Sequence, residues 1–299
     1  MEKFDSPPVR RDALSHLICP VTREPLARSA DGQWVTTPRG DRTYPLVRGS
    51  VPVILRNPEL AAQYAARSEG MSAEYTEQAV AQRHALWPRI KTRLNYDFRS
   101  ERSRAAFDRV FAAANGFHLA IGGGPTRAHP THVNLNIGPF PNVDIVSDAH
   151  ELPYEDGSVD AIHVEAVLEH LQRPSAAVAE MYRVLRPGGR VFASTPFMQA
   201  YHGYPDHYQN YTLTGHTLLF ETAGFRIEEA GAHVGPTFAI VNLVSTFLRT
   251  YVPGGRTLSF LWGGIGVVLR PFDILLHRRP DAYVLASTTY LVAVKGAAA

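Results

Sequence analysis

The sequence predicts an α/β fold built on a doubly wound, mostly parallel sheet, with a small β-rich lobe ahead of it and an apolar helical insertion near its end. Three observations carry this expectation. From Phe117 to about Val234, short apolar runs alternate with segments of helical spacing, the pattern of repeated β-α units. Three consecutive glycines, Gly122, Gly123 and Gly124, follow directly on the first of those runs. A chain of 299 residues with 45% hydrophobic and 19% charged residues is long and apolar enough to bury a sizeable core, which excludes disorder.

The elements follow in order. Residues 1–12 are polar and proline-containing and read as a loose tail, without the apolar stretch of a secretory signal. Residues 13–55 hold short apolar runs punctuated by Pro20, Gly32, Gly40 and Gly49, a β-unit too small to stand alone. Residues 58–115 are rich in Ala, Glu, Gln and Arg at helical spacing and predict a helical linker or cap. The runs HLAIGG, HVNLNIG, VDIVSDA, VDAIHVEA, GRVFASTPF and FRIEEAGAHV then predict strands, and TTYLVAVK offers a last one. Helices fit between them, most clearly over RPSAAVAEMYRVLRPGG and TLTGHTLLFETAGF. The resulting division is a lobe at 1–57, a helical segment at 58–115, and a main domain at 116–299 carrying the apolar insertion 236–279.

Charge and cysteine content narrow the function classes. Thirty Lys and Arg against 28 Asp and Glu leave a formal charge of +2, which gives no general sign of nucleic-acid binding. The single cysteine excludes an internal disulfide and any cysteine-rich zinc site, and suits a reducing cytoplasm. Between residues 83 and 109, eight basic residues (Arg83, Arg89, Lys91, Arg93, Arg99, Arg102, Arg104, Arg109) face three acids, a local excess of 8 − 3 = 5. That excess is either a solvated helical face or a pocket for a phosphate or carboxylate, with Tyr96 and Phe98 as an apolar wall.

The glycine run alone is a weak signal, since triple glycines also make ordinary loops. Its context is specific: HLAIGGGP, then HVNLNIG, then VDIVSDAHELPYEDGSVDAIHVEAVLEHL, then EMYRVLRPGGRVFASTPF. In that order the chain resembles a class I S-adenosylmethionine-dependent methyltransferase over about residues 117–230, in the branch that acts on small molecules and glycans. The resemblance implies a Rossmann-like sheet and S-adenosylmethionine as cofactor. It implies that Gly122, Gly123 and Gly124 pass beneath the methionine part of the cofactor. Asp148 and Ala149 would read the adenine edge, and His163 to Glu165 would border the methionine and the acceptor. Asn136 stands where the family usually has an acid holding the ribose hydroxyls, and Ala120 where an acid is often found. An amide oxygen accepts one such bond without the charge, a loss of about 1–2 kcal/mol. LICPVTREPL with TYPLVRGSVPVIL resembles the zinc-ribbon-like family that activates methyltransferases, over about residues 13–55. With Cys19 its sole cysteine, the lobe is expected to be metal-free and structural, packed on the main domain.

Methyl transfer needs an oriented acceptor and often a base. After the strand GRVFASTPF comes MQAYHGYPDHYQNYTLTG, with His202, His207, Asp206 and four tyrosines. Histidine titrates near neutrality, so His202 and His207 are the candidate bases, with Glu165 as a reader of a cationic acceptor or of the cofactor's amino group. No metal is expected from His202, Asp206 and His207, whose spacing in a loop is unspecific. The expected activity is methyl transfer to a small-molecule or glycan-like acceptor, without nucleic acid as a partner. Asn136 and Ala120 keep a second reading open, a methyltransferase-fold protein with other chemistry or a non-catalytic partner role. The insertion is interrupted by Gly, Pro, Asn and Arg, so it predicts a cover over the pocket, a peripheral membrane contact or a homodimer surface rather than a membrane span.

Overall fold

The structure is a computed structural model, described here for residues 14, 16–47, 50–64, 66, 98–112, 116–124, 127–140, 142–203 and 206–297. The expected basic residues Arg83, Arg89, Lys91 and Arg93, and Tyr96, lie outside these.

Eleven strands form one sheet: β1 (Ala27–Arg28), β2 (Trp34–Thr36), β3 (Thr43–Val47), β4 (Val51–Ile54), β5 (His118–Ile121), β6 (His132–Asn136), β7 (Ile145–Ser147), β8 (Val159–Glu165), β9 (Leu185–Pro196), β10 (Phe225–Val234) and β11 (Thr288–Lys295). Their spatial order is β1-β2-β3-β4-β7-β6-β5-β8-β9-β11-β10. β4 to β9 run parallel through the centre, and β11 enters antiparallel between β9 and β10. The central strands are buried along both faces, as parallel strands between helices must be. Every main-domain run that the sequence predicts as a strand is one.

The winding decides where a ligand fits. The chain steps from β5 to β6 to β7 on one side, then returns to lay β8 on the other side of β5. The carboxyl ends of β5 and β8 therefore flank a topological switch point, where α/β sheets open a crevice.

Helix α1 (Glu101–Val110) starts where Ser100 Oγ accepts from Ser103 N at 3.1 Å, and α3 (Leu213–Thr222) starts where Thr212 Oγ1 accepts from Gly215 N at 3.1 Å. Each side chain satisfies a backbone donor that the first helical turn leaves open. Between them, α2 (Pro174–Val184) buries Ala177, Val178, Met181 and Val184 against the sheet. Arg183 at its end donates to the carbonyls of Leu152 and Tyr154 at 2.8 and 2.7 Å, and pins the loop after β7. The LRPGG segment, included in the expected helix RPSAAVAEMYRVLRPGG, is instead the start of β9. The pairing jumps from Val159↔Leu185 to Ala161↔Arg190, so residues 186–189 bulge within the strand, with Gly188 at φ +77.

The N-terminal lobe is joined by main-chain pairing as well as by packing. β4 adds to β7 in parallel, Val53 opposite Val146, and Ile18 N donates to Pro153 O at 3.0 Å. Leu17, Cys19, Leu26, Val35 and Tyr44 share one core with Ile54, Leu119 and Leu152. Cys19 is fully buried; its Sγ accepts from the amides of Val21 and Thr22 at 3.4 and 3.3 Å and lies 3.0 Å from Tyr44 Oη. The insertion forms a helical hairpin, α4 (Pro236–Tyr251) and α5 (Gly255–Leu269), continued by helical turns to Leu276.

Candidate active site

At the end of β5, Gly122 and Gly124 take left-handed backbone angles, φ +73 and +56, which glycine adopts without steric cost. A Cβ on Gly122 would come 2.1 Å from Val167 Cγ2, and one on Gly123 would meet the Asn134 side chain at 2.7 Å. The loop thus lies close against its neighbours. At Gly124, just outside the lining of the cavity described next, a Cβ would make only an ordinary contact, 3.9 Å from Gly122 O. Arg127 secures the segment that follows: its guanidinium makes a two-pronged pair with Asp144, at 2.7 and 3.0 Å. Nothing in local sequence pattern signals this partner.

Gly122 and Gly123 share a cavity of about 560 Å³ with Glu165, His163, His233 and Arg99, a size suited to a nucleoside-bearing ligand. Glu165 ends β8 and is the centre of its charge. Arg99 grips both carboxylate oxygens, at 2.7 and 3.2 Å, while His163 Nε2 lies 3.3 Å and His233 Nε2 3.8 Å away. Burial alone would raise its pKa; His163, His233 and Arg99 together hold it well below the usual carboxylate range. The next residue, Ala166, sits at φ +54 without being glycine, local strain of the kind held at functional sites. Of the basic cluster, Arg99 and Arg104 reach this cavity, whereas Arg102 and Arg109 pair with Glu229.

The remaining expected cofactor residues stand along the same carboxyl edge, outside that cavity's lining. Asn136 closes β6, and its Oδ1 already accepts from Gly138 N at 3.1 Å. Its Oδ1 keeps one lone pair and its Nδ2 two donors to offer a ribose diol, where an acid would offer charged acceptors only. Asp148 Oδ1 accepts from His150 N at 2.9 Å, and its side chain keeps 46% of its surface open. Ala149 is buried beside it.

His202 and His207 form a separate group with His170 and Glu169. His207 Nδ1 accepts from His202 N at 3.2 Å, so the proton sits on Nε2, which donates to Asn210 Oδ1 at 2.7 Å. Both ring nitrogens are committed, which fits a brace rather than a base. His202 donates from Nδ1 to Ala200 O at 3.0 Å and points a lone-pair Nε2 at Glu169 Oε1, 4.0 Å away. Of the two, His202 is the one equipped to take a proton. Glu169 is fully buried, its Oε1 without a hydrogen-bond partner among the described residues, and burial lifts its pKa to about 7. His170 Nδ1 likewise donates to Asp206 O at 2.5 Å, leaving its Nε2 3.8 Å from Glu169 Oε1. Glu169, His170 and His202 offer ligand atoms all within 4.8 Å of one another, a span that a proton or a divalent cation could bridge. This is a different trio from His202, Asp206 and His207.

Residues 129–193 match the family model described as a methyltransferase domain. A probable S-adenosylmethionine-dependent methyltransferase of Mycolicibacterium smegmatis is 38% identical over 97 residues, 30% of this chain and 38% of that protein. An uncharacterised chloroplastic methyltransferase of Arabidopsis thaliana is 49% identical over 63 residues, 20% of this chain and 18% of that one. The chain thus spans well under half the length of these curated relatives. Among solved structures, phosphoethanolamine N-methyltransferase 2 of Haemonchus contortus in complex with S-adenosyl-L-methionine aligns with a TM-score of 0.41 at 15% identity, over 65% of this chain and 52% of that one. Residues 129–193 thus resemble a methyltransferase domain, and they lie on a mostly parallel, Rossmann-like sheet.

Proposed function

We propose that this chain is an S-adenosylmethionine-dependent methyltransferase acting on a small-molecule or glycan-like acceptor. The observation that carries the reading is the convergence of Gly122, Gly123 and Glu165 on one cavity at the switch point of the sheet. When bound, S-adenosylmethionine supplies an electrophilic methyl group on a sulfonium, open to in-line attack. The protein's part is to orient and to manage charge. Gly124 leaves room where a side chain would intrude, and Asn136 offers a donor to the ribose. Glu165, kept ionised by Arg99 and two imidazoles, can hold a cationic amino group of cofactor or acceptor. Phe107 and Phe192 supply an apolar wall. His202, with Glu169 behind it, can take up the proton of a hydroxyl or amine acceptor that reaches it.

Calorimetry with S-adenosylhomocysteine tests this directly. Saturable heat is expected, lost in Gly124→Leu, whose side chain fills that room, while circular dichroism stays unchanged. No heat at millimolar ligand from a folded sample would refute the reading. It would favour the alternative that Asn136 motivates, a methyltransferase fold turned to other chemistry or to a partner role.

A further inference from the structure

The hairpin α4–α5 has an inner face that is fully engaged and an outer face that is not. On the inner side, Asp273 accepts from Thr237 N and Phe238 N at 2.9 and 3.1 Å, capping α4. Arg270 is buried over the Phe238 ring, Trp262 Nε1 donates to Val241 O at 3.0 Å, and Gly266 packs on Val241. His277 Nε2 donates to Phe98 O at 2.7 Å, tying the end of the insertion to the segment that carries Arg99. The hairpin is thus fixed to the body and shows the surroundings one face.

That face is apolar along its whole length. Leu258, Leu261, Ile265, Val268, Phe272 and Leu275 recur at spacings of 3, 4, 3, 4 and 3 and are 43–68% exposed. Phe260, 70% exposed, lies well outside this stripe and widens it, and Phe247 on α4 adds to it at 57%. A seam for a second helix is narrow and bordered by charged residues that set its register. Here, residues 257–269 contain no charged residue. Exposed charge appears only at the ends, Arg249 and Arg256 at the hairpin tip and Arg278 and Arg279 at the base, while Arg270 is buried. Asp273 is the insertion's single acid, and it is buried in the α4 cap. A broad apolar face with cations at its two ends suits the boundary between lipid headgroups and acyl chains. The 22 helical residues Gly255–Leu276 extend roughly 33 Å, yet their inner face is pinned to the protein, so they can lie on a bilayer and not cross it.

We propose that the hairpin docks this protein on anionic phospholipid bilayers, with the outer face of α5 in the acyl boundary and Arg249, Arg256 and Arg278 on lipid phosphates. A second cleft of about 470 Å³, walled by Ile274, His277 and Arg278 of the insertion and by Arg99 and Arg104 of the active-site cavity, then opens beside the membrane. On the methyltransferase reading, this cleft admits an amphiphilic acceptor from the lipid phase; the docking itself does not depend on that reading.

The test is flotation of the full chain with vesicles of phosphatidylcholine alone or with about one third phosphatidylglycerol. Binding is expected to the anionic vesicles, weakening several-fold from low to physiological salt. Leu261→Glu/Val268→Glu, at exposed positions that leave the inner face intact, should reduce binding at least tenfold. Arg249→Gln/Arg256→Gln/Arg278→Gln should weaken it and remove most of the salt dependence. Calorimetry with S-adenosylhomocysteine on Leu261→Glu/Val268→Glu separates the two readings, since cofactor heat should be unchanged whether or not docking is right. A folded, monodisperse protein that ignores anionic vesicles overturns the proposal. So does a dimer that Leu261→Glu/Val268→Glu dissociates without any vesicle binding, which would assign the face to a second copy.

Discussion

Replacing Asn136 by Asp tests the ribose end of the site in one atom's change. The amide oxygen already accepts from Gly138 N at 3.1 Å, so the native side chain offers a ribose diol one neutral lone pair beside its Nδ2 donors. A carboxylate would keep that bond with one oxygen and accept a ribose hydroxyl with the other. A neutral hydrogen bond contributes about 1 kcal/mol net, and one to a charged group about 1.5–3. The position is 9% exposed, so desolvation of the new charge offsets part of the gain, and about 1–2 kcal/mol remains. That corresponds to a dissociation constant lower by roughly 5- to 30-fold. The assay is calorimetric titration of native protein, Asn136→Asp and Asn136→Ala with S-adenosylhomocysteine at pH 7.5. Adenosine, which keeps the ribose and lacks the amino acid, should show the same gain. If Asn136→Asp binds equally or more weakly than the native protein while its melting temperature is unchanged, the ribose is held elsewhere and the assignment of Asn136 falls.

Other outcomes follow from the same geometry. Gly122→Ala should lower stability by about 2 kcal/mol or more, because the residue is at φ +73 and the new Cβ would meet Val167 at 2.1 Å; chemical denaturation reads this, and an unchanged midpoint would contradict it. With an acceptor in hand, His202→Ala should reduce kcat by about 10²- to 10⁴-fold, and His207→Ala should act mainly through melting temperature, since both of its ring nitrogens are committed. Equal kinetic losses would remove the distinction. Glu165→Gln should remove the negative charge that Arg99 grips and weaken binding of an amine-bearing ligand about tenfold or more, while adenosine binding is unaffected. Stability should fall as pH drops below about 6.5, because burial keeps His132 neutral to about 2 and His216 to about 3. The unfolded chain then binds protons that the folded one refuses, at up to roughly 1.4 kcal/mol per pH unit for each histidine. His132→Phe, placed among Phe107 and Phe111, should flatten that slope; an unchanged slope would assign the acid sensitivity elsewhere.

Local sequence determined the parts whose physics is local. Short apolar runs marked β5 to β11, Ser100 and Thr212 cap α1 and α3 from the adjoining residue, and three glycines stand directly after β5, because propensity, caps and backbone freedom act within a few residues. The exposed stripe of α5 is also written in its 3-4 spacing. Tertiary structure alone decided what those parts meet. Arg99 and His233 reach Glu165 from opposite sides of the sequence, and Arg127 finds Asp144 across β6. The side chain of Asn136 turns back to Gly138, and hydrogen bonding distinguishes His202 and His207, which look equivalent in sequence: both ring nitrogens of His207 are committed, while Nε2 of His202 faces Glu169 at 4.0 Å. β4 joins β7 by strand pairing between segments more than 90 residues apart, and no period or spacing records such a partnership. Charge pairing, tautomer and strand partnership depend on distances in space. In a doubly wound sheet those distances are set by the return of the chain from β7 to β8, a choice made by the packing of the whole domain.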